Sequence, residues 1–350
     1  MKSTVVLGFA AVAMSLAAAG ELSAAPSISN VSGTLEHGGQ LVISGSAFGI
    51  KSPAKPYLWA PMDSSGNPSN LGIVTSWSGG ANMQFAPGEG IAGGGALKAS
   101  NASGTWTRDV VSSGFAWNDY GHKMYLFRKL KRNFDITDAM NWKIIRAWPS
   151  DFTLPNWHIG THNGRLYVEG IDSGSWLKNN SIARGRANVW RTEEFWTQAN
   201  SAANLSDGAF YYMVDGQVAE ALSPSSGQWK VRGTGGSQSK DMTMLVVVHG
   251  VMANHDVQST WRMWANDVYL DTTWARVMIG NHPNYQQSTI REIQIPSAWS
   301  GNSITITLNT RAFPSDATPY LFVIDAAGNA SEGFPIGIAG PVPPGNVTVQ

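Results

Sequence analysis

With 350 residues, 43% of them hydrophobic and only 14% charged, the chain can bury a large core and is not an intrinsically disordered polymer. Its 24 Lys+Arg balance 24 Asp+Glu, so no net field draws it to nucleic acid or to an anionic membrane surface. The absence of cysteine excludes disulfides and thiolate chemistry, and 38 Gly with 17 Pro favour many short strands joined by turns.

The N-terminus carries Lys2, an apolar run from Val5 to Ala19 and then small residues. This is the pattern of a secretory signal peptide over residues 1–25, cleaved between Ala19 and Pro26. The run is too short, and too soon followed by Glu21, to span a bilayer. The expected location is secreted, periplasmic or cell-surface. From Ser27 to Gly49 the alternation predicts a strand, a Gly38-Gly39 turn and a second strand. The run G-G-Q-L-V-I-S-G-S-A-F-G resembles the opening of a TIG/IPT immunoglobulin-like domain. It covers half of such a domain, residues 26–50. Residues 275–338 carry candidate later strands, at Ala275–Asn281, Ile293–Thr310 and Tyr320–Asn329. Two organisations stay open: one immunoglobulin-like module split around an insert, or three modules in a row. Proximity of Ile43 to Phe322 discriminates them. Residues 339–350 read as a Pro/Gly-rich flexible tail.

Between these halves, residues 56–273 predict strands near Ala96–Lys98, Thr105–Val110, Lys123–Leu130, Trp142–Trp148, Trp157–Gly160, Arg165–Glu169, Met242–His249 and Asp267–Leu270. Met242–Val248 is apolar on both faces and should be a central strand. The organising element is a hairpin, with strands Val189–Trp196 and Ala209–Val214 and an Asp215-Gly216 turn. Its alternation predicts one buried face and one face offered to a ligand. The pattern W-R-T-E-E-F … D-G-A-F … V-D-G resembles the central strands of the concanavalin A-like lectin/glucanase superfamily, which includes some polysaccharide lyases. The expected fold is therefore all-β, a jelly-roll β-sandwich plus an immunoglobulin-like β-sandwich module.

Four constellations could carry chemistry. The 15 tryptophans suit sugar stacking, and Trp117, Trp148 and Trp176, beside polar or turn residues, are the better surface candidates. Arg146, His158, Arg165, Tyr167, Arg191 and Glu193 would line a groove if their strand faces coincide. Arginine pairs bind a uronate carboxylate, and His158, Tyr167 and Arg191 are the catalytic candidates for β-elimination. The alternative is a solvated sheet face with ordinary cross-strand ion pairs. His158 with His162, and His249 with His255, flank turns, but no H-E-x-x-H zinc motif occurs. Finally, the jelly-roll resemblance implies a structural Ca²⁺, for which Asp63, Asp267 and Asp271 are candidate ligands.

The resemblance does not extend to a known site. The Q-(I/V)-H and Y-x-K-x-G-x-Y-x-Q strands of alginate-lyase-type jelly rolls are absent, as is the E-x-D-x-x-E acid pair of the glucanases. The sequence reads as an exported carbohydrate-interacting protein whose partner is a polysaccharide, with lyase-type cleavage as the candidate reaction. A non-catalytic binding module and a structural or adhesion protein stay open beside it.

Overall fold

The computed structural model describes residues 24–62, 74–78, 83–100, 109–113, 123–136, 141–148, 157–162, 165–170, 173–178, 185–202, 205–227, 229–231, 244–248, 252–253, 260–314 and 317–337. In chain order the strands are β1 (Ser27–Gly33), β2 (Gln40–Ser46), β3 (Leu58–Ala60), β4 (Val74–Ser78), β5 (Met83–Ala86), β6 (Ala96–Ser100), β7 (Asp109–Ser113) and β8 (Lys123–Arg132). There follow β9 (Asn141–Trp148), β10 (Trp157–His162), β11 (Arg165–Gly170), β12 (Ser173–Lys178), β13 (Arg191–Gln198), β14 (Ala209–Val214), β15 (Gln217–Leu222), β16 (Met244–Val248) and β17 (Met252–Ala253). The last are β18 (Arg262–Asp271), β19 (Arg276–Gly280), β20 (Arg291–Ile293), β21 (Ile295–Trp299), β22 (Ser303–Thr307), β23 (Tyr320–Ile324) and β24 (Phe334–Pro335).

These strands build two antiparallel sandwiches, and the protein is all-β. In the large one, the sheet β15-β14-β13-β8-β18-β6-β5 faces the sheet β12-β11-β10-β9-β16-β7-β4. Alternate residues of both sheets meet in one core: Leu126, Leu130, Phe195, Phe210 and Leu270 from the first, Trp142, Ile145, Ala147 and Leu166 from the second. The apolar β16 lies between β9 and β7, as its two-sided pattern requires. The β14–β15 hairpin closes through Asp215 (φ 48) and Gly216 (φ 74). Two consecutive positive φ values make the tight turn whose twist matches the strands, and Asp-Gly tolerates them.

The small sandwich draws on both ends of the chain. Its first sheet runs β1-β2-β22-β21, so Ile43 stands opposite Ile304. Its second runs β20-β19-β23-β24. Leu41, Ile43, Ile304 and Ile306 pack onto Val277, Ile279, Leu321 and Val323. The intervening residues Met278, Phe322 and Ile324 point the other way, onto Tyr125, Phe127 and Tyr269 of the large sandwich. Both β19 and β23 are apolar on both faces because each face is buried against something different. The β8–β13–β14 sheet is likewise covered on its outer side. This corrects the expectation that the hairpin offers one face to a ligand.

The seam between the sandwiches mixes apolar surface with buried charge. Fully burying each of these large apolar side chains stabilises the docked state by ~1.5–3 kcal/mol. Among them sits Glu194, 1% exposed, accepting from Tyr125 Oη at 2.8 Å, Tyr285 Oη at 3.2 Å and Arg291 Nη1 at 3.0 Å, with Arg276 Nη2 at 3.8 Å. Lys129 pairs with Glu292, and Arg311 with Asp267 at 3.1 Å, across the same seam. Apolar contact drives docking; the charges fix alignment, because a shifted partner would leave a buried ion unpaired.

Burial disfavours the Glu194 charge, but Arg291 and then Arg276 outweigh it and hold the carboxyl below its ordinary 4.5. A lowered folded pKa means the contribution is complete above the unfolded value and lost as pH falls through the folded one. The contribution of Glu194 to stability should therefore be constant down to about pH 4.5 and be lost below it. Glu194→Gln should cost ~3–5 kcal/mol in denaturant unfolding and shrink that acid-dependent loss. An unchanged midpoint would show that the carboxylate does not hold the seam.

Candidate functional site

The sheet that holds β9 to β12 carries Arg146, Trp148, His158, Arg165, Tyr167 and Trp176, half of the candidate site residues. In β9 the pairing with β10 shifts: Ile159 stands opposite Ile145, but Gly160 stands opposite Lys143. Ile144 is an extra residue, a β-bulge. The bulge lets Trp142 and Ile145, three positions apart, both face the core. It also brings half-buried Lys143 and Arg146 onto the other face together. Period-two reasoning would have put Lys143 and Arg146 on opposite faces, so Lys143 escaped it.

Register then builds rows across three strands. Arg146, His158 and Glu169 stand abreast on β9, β10 and β11. Lys143, Gly160 and Tyr167 form the next row, and His162 and Arg165 the one after. Neighbouring strands lie ~4.8 Å apart, so each full row spans about 10 Å. Trp148 follows Arg146 on the same strand and pairs with Met244 of β16. The rows align cations with three groups able to exchange protons, His158, His162 and Tyr167, and with one carboxylate. Trp176 falls elsewhere: it pairs with Val168, in the row of Ile159 and fully buried Ile145, the alternate row to that of His158. Trp117 and Asp63 lie outside the described residues, as do His249 and His255.

Arg191 and Glu193 do not join this face, and their assignment to the same groove is corrected. Both belong to β13, on the other sheet, and point into the sandwich interior, 4% and 1% exposed. Glu193 accepts from Arg128 Nε at 2.9 Å and Nη2 at 2.5 Å, and from Tyr212 Oη at 3.3 Å. Arg128 Nη2 also donates to the carbonyl of Ile144 at 2.8 Å. That carbonyl belongs to the bulge residue of β9. Glu193 thus acts at one remove, holding the arginine that braces the bulge from beneath. Burial opposes its charge, but Arg128, Arg191 and Arg132 together keep its carboxyl below the ordinary value. Burial, and then the like charge of Arg191, bring Arg132 down to about 10.

Arg191 lines a cavity of about 440 Å³ with Arg186, Val189, Val214, Asp215 and Gln217. Gly185 (φ +66) lets it pass: a Cβ there would lie 1.9 Å from Arg191 Nη1. Asp267 and Asp271 do not fit the expected calcium site. Arg311 lies 3.1 Å from Asp267 Oδ1. Asp271 receives Lys51 at 2.9 Å, Tyr269 Oη at 2.7 Å and the Thr272 N–H at 2.8 Å. Cations already stand against both carboxylates. Burial raises the Asp271 carboxyl against the pull of Lys51, and lowers Lys51 in turn.

No family model matches the chain, and no curated protein does. Among solved structures, a carbohydrate esterase from the Shiga toxin-encoding bacteriophage phi24B superposes at 15% identity and TM-score 0.38, over 61% of this chain and 97% of its own. An alginate lyase from Aplysia kurodai does so at 10% and 0.42, over 61% and 97%. The binding domain of botulinum neurotoxin serotype D does so at 10% and 0.40, over 78% and 73%.

Two substitutions probe the interior brace. Glu193→Gln should destabilise by ~3–5 kcal/mol, since it leaves Arg128 buried and uncompensated. Gly185→Ala should also destabilise, by displacing Arg191 and by straining a left-handed backbone position. Denaturant unfolding measures both, and a neutral Glu193→Gln would remove Glu193 from the support of the bulge.

Proposed function

We propose that the protein is exported, that it binds an acidic polysaccharide across the outer face of β9, β10 and β11, and that it cleaves this polymer by β-elimination. The observation that supports this reading is the register that sets Arg146, His158 and Glu169 abreast, with Lys143 and Tyr167 one row on. Arg146 and Lys143 take the uronate carboxylate, and in neutralising it they acidify the proton on the adjacent ring carbon. His158 accepts that proton, with Glu169 beside it to favour the imidazolium. The freed electron pair forms the ring double bond, and the bond to the glycosidic oxygen breaks. Tyr167 delivers a proton to that leaving oxygen. Trp148 and Arg165 extend the surface along the chain of sugars. In the same reading, the small sandwich is an immunoglobulin-like module whose chain is interrupted by the jelly roll.

The test is incubation with neutral and acidic polysaccharides, following the ultraviolet absorbance of an unsaturated uronate together with reducing ends. Both signals should rise on an acidic polymer alone. His158→Ala should lower kcat/KM by ~10²–10⁴-fold with binding retained, and Arg146→Ala should weaken binding itself. Reducing ends without absorbance would mean hydrolysis and overturn the elimination. Retention of the polymer with neither signal would leave a binding face only.

A further inference from the structure

The chain leaves the small sandwich for the large one after β2 and returns after β18, and these two crossings lie side by side. Lys51 sits on the first, between β2 and β3, and Asp271 is the last residue of β18, just before the second. Leu58 of β3 pairs with Leu270 of β18, which fixes the first crossing beside the second. Lys51 Nζ stands 2.9 Å from Asp271 Oδ2, with both side chains almost wholly out of water, 1% and 4% exposed.

Three further groups converge on this pair, and each matches one requirement of an amide condensation. The Thr272 N–H donates to Oδ1 at 2.8 Å, where negative charge develops in a tetrahedral intermediate. Tyr269 Oη donates to Oδ2 at 2.7 Å, on the oxygen that has to leave. The Ala54 carbonyl accepts from Nζ at 2.5 Å and so holds the amine in place. Burial raises the Asp271 carboxyl and lowers Lys51, which brings both towards the neutral forms that react. In water an ammonium and a carboxylate are too well solvated to condense; here neither has that solvation to lose.

We infer that Lys51 Nζ and Asp271 Cγ become joined by an isopeptide bond, which ties the two crossings together. The ammonium first passes a proton along the 2.9 Å hydrogen bond to Oδ2. The freed amine attacks Cγ, and the N–C bond forms as the carbonyl electron pair moves onto Oδ1. Nζ then sheds a second proton, relayed to Oδ2 through Tyr269. The carbonyl re-forms at Oδ1, the C–O bond to Oδ2 breaks, and that oxygen leaves as water. The step is redox-neutral and consumes no co-reactant. Its product is a covalent ring that takes in every strand of the large sandwich, in a chain that has no cysteine for a disulfide. The bond does not depend on the proposed polysaccharide face.

Intact mass spectrometry of the purified protein, denatured after folding, tests this. The chain should be lighter by one water than the mass calculated from its sequence. Proteolysis should release a branched peptide that joins Lys51 to Asp271, whereas an ion pair falls apart in denaturant and gives two separate peptides. Lys51→Met should restore the full mass. The wild-type readings stand whether or not that variant folds. A wild-type chain at full mass, with the two peptides separate, would overturn the bond. So would a loss of water that persists in Lys51→Met, because it would place a cyclic imide at an aspartate instead.

Discussion

Two adjacent glutamates on β13 carry opposite halves of this structure. Successive side chains of a strand point to opposite faces. Glu193 therefore enters the interior of the large sandwich and Glu194 the seam with the small one. Neither reaches water, and each persists as an anion because arginines stand against it. Removing a charge from water costs several kcal/mol, and only close, well-formed pairs offset that. The strand is thus a constraint on everything around it. Arg128 must lie where Glu193 is, and Arg276 and Arg291 must come to Glu194. Slipping the strand by one residue would exchange the two faces and leave both clusters unmatched.

Much of the fold is legible in alternation and turn chemistry. The Asp215-Gly216 turn, the strand beginning at Arg165 and the two-sided apolar β16 follow from local pattern. What alternation cannot reveal is which object lies against a polar-looking face. The hairpin reads as half exposed because it carries Glu193 and Glu194, yet both are buried by partners far away in sequence. Charged residues look like surface until their counter-ions are found, and those come from β8, β19 and β20. The same reasoning accounts for Asp267 and Asp271, which resemble calcium ligands only while Arg311 and Lys51 go unnoticed.

The outer face of β9, β10 and β11 shows the opposite case. Simple alternation puts Arg165, Tyr167 and Glu169 on one face of β11. Lys143 shares a face with Arg146 only because a single inserted residue of β9 resets the count. The bulge has no sequence mark beyond the apolar pair Ile144-Ile145, and what braces it is Arg128, from the facing sheet. The surface of one sheet is in this way shaped by a charge pair on the other. Core and surface chemistry are mechanically linked through one guanidinium.

The pairing of β2 with β22 has a further consequence, for the time course of folding. Contacts in the small sandwich join residues as much as 273 positions apart, as between His37 and Thr310. The entropy of closing so long a loop grows only slowly with its length, by about 0.6 kcal/mol per doubling. Contact order, however, makes such pairing late. During synthesis, β1 and β2 emerge before the large sandwich and have no further strand to join until β22 has followed it. Until then β2 presents a bare edge, the kind of surface that invites aggregation. Closing the small sandwich therefore waits for β22, and a chain cut short before β22 would carry an unpaired β2 edge for proteases and chaperones to recognise.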